Sequence, residues 1–178
     1  MNECILSLAP KGIWKEFQGI LSVPRPSKKE AQMVAYLEKW AKDHNISYIK
    51  EECGNIIMNV PATKGMEDRQ TVILQAHIDM VCEKNADKGH DFEKDPIEAV
   101  IKGEWLYANG TTLGADDGLG VAAALAIIDD PSVEHGPMEC IFTVDEETGL
   151  TGAMALQPEH VKGRILLNLD SEDEGEIF

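Results

Sequence analysis

Three apolar runs in this 178-residue sequence each stop at side chains that bind metal ions or move protons. "TVILQAHIDMV" runs into His77 and Asp79, "MECIFTVDEE" into Glu146 and Glu147, and "GRILLNLD" into Asp170. The runs are short and nearly continuous in apolar residues, the pattern of strands buried on both faces. Segments of helical character separate them, so the sequence predicts a three-layer α/β/α domain around a mostly parallel mixed sheet. Ligands of such sheets bind at the carboxyl ends of the strands, which is where these charged residues gather.

The rest of the chain fits around that sheet. Residues 11–22 predict an amphipathic helix. In "VPRPSKKEAQMVAYLEKWAKDHN", Pro24 and Pro26 set a turn, and Ser27 and Glu30 have the spacing of a capping box. Met33, Val34, Leu37, Trp40 and Ala41 then form one helical stripe. "ISYIKEE" and "NIIMNVP" around Gly54 suggest a hairpin. Residues 82–100 are charged and without period, which predicts a long loop, and "EWLYANG" follows as a short strand ending in an Asn-Gly turn. "DDGLGVAAALAIIDD" predicts a helix over about residues 118–128, too apolar for a surface position. "TGAMALQPEH" predicts a short helix.

Charge and composition narrow the partners. A formal net charge of −16 argues against nucleic acid and anionic membranes, because it repels phosphate. No apolar run approaches the roughly 20 residues that span a bilayer. Cys4, Cys53, Cys82 and Cys140 have no CxxC spacing and read as reduced thiols, and the N-terminus lacks the basic start of a signal peptide. A cytoplasmic location is expected.

The segment "GADDG" adds Asp116 and Asp117 just before the apolar helix, where either could also serve as a cap. Together with the strand ends they make a His/carboxylate set suited to a divalent cation: zinc, with cobalt or manganese as substitutes. His77 and Asp79 are two apart, so in extended chain they project to the same side. Asp79 can then hold one ring nitrogen while the other binds metal. The neighbours Glu146 and Glu147 point in different directions, so one can hold a cation while the other takes a proton from water. Asp145 receives no role. "GTTLGADDGLG" has no GxGxxG directly after a strand, which speaks against a dinucleotide. "DSEDEGEIF" resembles the start of a calcium loop but has no twelfth position.

The ordered motifs "HID", "GADDG", "DEETG" and "NLDSE" resemble those of the dizinc peptidases, a family that includes peptidase T, carboxypeptidase G, carnosinases and aminoacylases. The wider wording, "HIDMVCEKN" and "WLYANGTTLGADDGLGVAAALAI" in particular, is similar to the bacterial aminoacyl-histidine (Xaa-His) dipeptidase branch. The resemblance implies that His77, Asp116 and Asp170 hold one zinc and that Asp116 bridges to a second zinc held by Glu147. It also implies that Glu146 is the general base, that Asp79 orients His77, and that a cis peptide joins Asp116 to Asp117. The implied reaction is dipeptide hydrolysis, in which a metal-bridged water gives a proton to Glu146 and attacks the scissile carbonyl. The implied whole enzyme is a homo-oligomer.

Members of that family are longer, with an inserted lid or dimerisation domain and a late histidine that completes the second zinc site. Residues 1–178 are therefore expected to be the N-terminal portion of a catalytic domain, with the sheet incomplete at its C-terminal side. Such a chain is expected to bind the first metal weakly, to show little or no activity alone, and to expose an apolar sheet edge that favours self-association. His90, His135 and His160 sit in no matching motif. The alternative expectation is a non-catalytic metal-binding or interaction domain of the same fold. Glu146, which a metal store does not need, favours the peptidase.

Overall fold

The computed structural model describes residues 2–171. Helix α1 (Lys11–Leu21) buries Phe17, Ile20 and Leu21, which fall on one helical face. Helix α2 (Ala31–Asp43) buries the expected stripe of Met33, Val34, Leu37, Trp40 and Ala41. Strands β1 (Ser47–Lys50) and β2 (Ile56–Val60) pair antiparallel. Gly54, in the turn between them, has φ +111°, a conformation open to glycine but strained for other residues. Next come β3 (Val72–His77), the hairpin β4 (Ala99–Lys102) and β5 (Trp105–Ala108), α3 (Ala115–Asp129), β6 (Met138–Thr143), α4 (Thr151–Ala155) and β7 (Ile165–Asn168).

The main sheet has the order β1-β2-β6-β3-β7. Strand β3 runs parallel to both β6 and β7, whereas β2 is antiparallel to β6. The three strands whose sequences run into candidate ligands are therefore adjacent and point the same way. One face of the sheet carries Met58, Leu74, Ala76, Cys140 and Phe142 and shares a single core with α1, α2 and α3. The other face carries Ile57, Ile73 and Ile141 and packs against Leu156 and Val161, just beyond α4. That outer layer is thin. Helix α3 packs against α1 on one side and β3 on the other, which is why its sequence is apolar nearly all round.

Three local expectations give way to tertiary structure. Ser27 does not cap α2: its hydroxyl donates to Asp79 Oδ2 at 2.7 Å, and the helix starts at Ala31. A buried, ionised carboxylate is a stronger acceptor partner than a helix amide is a donor. Glu30 instead accepts from the amides of Lys28 (2.7 Å) and Asp145 (3.1 Å). Strand β4 begins inside the stretch that reads as loop, because it is made by its pairing with β5 rather than by its own period. Strand β7 is not buried: Ile165, Leu166 and Leu167 are 41%, 54% and 49% exposed, since β7 is an edge that pairs with β3 alone among the described residues. The calcium-loop resemblance falls, beyond Ser171, outside the described residues.

Candidate metal centre and active site

Parallel pairing with β6 and β7 fixes where β3 ends, and the Ile78 amide extends the ladder by donating to Thr143 O at 2.9 Å. His77 is thus held at the carboxyl end of an interior strand with its side chain only 1% exposed. Its Nε2 lies 2.9 Å from Asp116 Oδ1, 3.9 Å from Asp170 Oδ2 and 4.0 Å from Glu146 Oε2. Its buried Nδ1 lies 3.3 Å from Asp79 Oδ1, close enough for a strong charge interaction but too poorly aligned for a hydrogen bond. Burial alone would lower the imidazole pKa. Asp79 and Asp116 outweigh that effect and hold it up at about 9.

Asp79 is fully buried and collects three donors from two other segments. Its Oδ1 accepts the Glu146 amide at 3.0 Å, and its Oδ2 accepts the Ser27 hydroxyl at 2.7 Å and the Glu147 amide at 3.3 Å. Burial would raise its pKa, but His77 and these donors bring it down to about 2. One carboxylate therefore ties the end of β3 to the turn that carries Glu146 and Glu147. Asp145, left without a role by its sequence, staples the same turn by accepting the hydroxyls of Thr148 (2.6 Å) and Thr151 (2.5 Å).

Asp116 and Asp117 open α3 through a cis peptide, and neither has helical dihedrals, so the regular helix begins after them. The two side chains have opposite fates. Asp116 is 72% exposed beside His77 Nε2. Asp117 is buried, caps the helix by accepting the Gly120 amide at 3.1 Å, and accepts the His77 amide at 3.2 Å. Burial first, and then the charge of Asp170, push Asp117 up to about 7 against the pull of His77. The capping role open to either residue thus falls to Asp117.

His77, Asp116 and Asp170 offer ligand atoms that all lie within 4.8 Å of one another. One imidazole nitrogen and two carboxylates are donors suited to a divalent cation such as zinc. The charge agrees, because Asp79 and then Asp116 favour a proton on His77 when no other cation neutralises them. Glu146 stands beside this group with its side chain 30% exposed, and burial and then Asp170 raise its pKa against His77. Glu147 is not in the converging group; burial and then the charge of Asp116 raise its pKa.

A second acidic group, Glu30, Asp79 and Asp145, is fully buried, with its oxygens engaged by backbone amides and hydroxyls. It is packing. His135 and His160 turn a ring nitrogen to Gly136 O and Glu51 Oε1, and His90 packs on Phe92, all away from the centre. The residue that sequence reasoning missed is Arg25, which reads as part of a proline turn yet is buried against the end of β3. The only local signal was a lone charge between two prolines.

A family model described as peptidase family M20/M25/M40 matches residues 73–171. The chain is 50% identical over 171 residues to the cytosol non-specific dipeptidase of Escherichia coli strain K12, an alignment that covers 96% of this chain and 35% of that protein. Among solved structures, the aminoacylhistidine dipeptidase of Vibrio alginolyticus matches with a TM-score of 0.93 at 48% identity, over 96% of this chain and 35% of that one. The aminopeptidase PepT of Bacillus cereus ATCC 10987 matches with a TM-score of 0.76 at 28% identity, over 92% and 44% of the two chains. The chain thus spans about a third of the length of these two dipeptidases. Among the described residues, no helix is long and apolar enough to cross a membrane.

Proposed function

The chain belongs to the M20/M25/M40 peptidase family, and on that premise we propose that its site serves the metal-dependent hydrolysis of dipeptides, Xaa-His dipeptides among them, in the cytosol. One observation carries the reading: oxygens of Asp116, Asp170 and Glu146 surround His77 Nε2 at 2.9, 3.9 and 4.0 Å.

His77, Asp116 and Asp170 would hold one divalent metal, zinc by their donor chemistry, and Asp116 with Glu147 would offer ligands to a second. When bound, the metals supply Lewis-acid polarisation of the scissile carbonyl and make the attacking water more acidic. Glu146 takes the proton of that water. It then passes that proton to the leaving amine. The Asp79 carboxylate, 3.3 Å from His77 Nδ1, favours a proton on that nitrogen and so leaves Nε2 for the metal, and its grip on the Glu146 amide keeps the general base beside the centre.

The described residues offer three ligands to the first metal and two to the second. The chain by itself accordingly binds the first metal weakly and turns over dipeptides weakly or not at all. The test is a chimera in which residues 1–171 replace the matching third of the E. coli dipeptidase. The expected result is zinc-dependent turnover of dipeptides that falls on the order of a hundredfold or more in E146Q. A folded, zinc-loaded chimera whose E146Q variant is equally active would overturn the assignment of Glu146. Zinc binding with no turnover would leave a non-catalytic metal-binding domain.

A further inference from the structure

Arg25 heads the fully buried side chains of the described residues by volume, and it is 2% exposed. It stands between Pro24 and Pro26, and Pro26 bridges to Met80. Its Nη1 donates to Ile78 O at 3.1 Å and to Asp79 O at 2.8 Å, and its Nη2 donates to Gly114 O. Ile78 and Asp79 directly follow His77, and Gly114 lies two residues before Asp116. One guanidinium thus joins the two segments that carry these ligands.

The glycines of "GADDG" are shaped around it. A Cβ at Gly114 would lie 2.5 Å from Arg25 Nη2, and one at Gly118 would lie 2.6 Å from it. Both positions flank the Asp116–Asp117 pair, so the motif keeps open the space that the guanidinium fills. A planar fork of fixed donors can serve three carbonyls at once, whereas a lysine ammonium is a point charge on a flexible stem.

We infer that Arg25 is a positioning residue for the metal centre, a guanidinium clamp that sets the separation of His77 from Asp116 and thereby how tightly the first metal is held. The inference rests on His77, Asp116 and Asp170 being metal ligands. Groups that orient metal ligands from behind typically change affinity ten- to a hundredfold when removed.

The test is calorimetric zinc titration of the full chain and of its R25K and R25M variants, with visible spectra of the cobalt-loaded forms. Both variants are expected to lose about ten- to a hundredfold in zinc affinity and to shift the cobalt bands, while keeping the far-ultraviolet dichroism of the parent. Parental affinity and spectrum in folded R25M would overturn the inference, because Arg25 would then only fill space. Parental values in R25K would overturn it as well, because charge alone would suffice. If R25M does not fold, G118A takes its place, since its Cβ crowds the guanidinium. The same loss and spectral shift support the clamp, and their absence overturns it. A parent chain that binds no zinc would instead overturn the ligand assignment itself.

Discussion

Strands β3 and β7 lie side by side and parallel, and each leads into a proposed ligand, yet they are built in opposite ways. Leu74 on β3 is 5% exposed, whereas Leu167, its register partner on β7, is 49% exposed. At the strand ends, the His77 side chain is 1% exposed and that of Asp170 is 32% exposed. Around His77 the fold supplies Asp79, Asp117 and Arg25, so the position and charge of the imidazole are set by folding. Asp170 follows an edge strand whose apolar side chains face solvent. Among the described residues, the contrast teaches that the centre has a prearranged anchor in His77 and a wall at Asp170 that packing constrains less.

The harshest way to probe that contrast is to remove one carboxylate from each end. D79A leaves buried amides, the Ser27 hydroxyl and the charged His77 without their acceptor, and should cost about 3–5 kcal/mol. D170A should cost less, about 1 kcal/mol or under, because Asp170 is partly exposed and its attraction to His77 is offset by repulsion of Asp117 and Glu146. Urea denaturation of the metal-free chains measures both, and equal losses would erase the distinction. The register pair Leu74 and Leu167 gives a second comparison free of site chemistry. L74A should cost about 2–5 kcal/mol, and L167A about 1 kcal/mol or less.

A third probe is pH. In the metal-free chain His77 titrates at about 9, above the roughly 6.5 of an unfolded histidine. Because the folded value is the higher one, its stabilisation is complete below about pH 6.5 and is lost as pH rises through 9. The loss should be on the order of 3 kcal/mol, and H77N should flatten the profile across that window. A parent profile as flat as that of H77N would mean the anchor is not charged. The smallest effect belongs to the edge. Leu166→Lys should reduce self-association in sedimentation while barely moving the unfolding midpoint. Unchanged association would mean that β7 does not carry it.

The strands, the apolar helix and the strand-end ligands were legible because period and run length report burial, and chemistry concentrates where strands stop. What escaped depends on distant partners. "ILLN" reads as buried whether its strand is central or at an edge, because neighbours and not its own residues decide that. Ser27 and Glu30 have capping spacing, yet Asp79 and the amides of Lys28 and Asp145 claim them across the fold. Nothing near Arg25 signals carbonyl partners as far along the chain as Gly114.

The central claim is that the end of β3 anchors a metal that the end of β7 only helps to close. Zinc titration of the parent chain beside H77A and D170A tests it most directly. The expected result is one dominant site per chain, abolished in H77A and weakened but still measurable in D170A. Undiminished binding in H77A, or a loss in D170A as complete as in H77A, would contradict it.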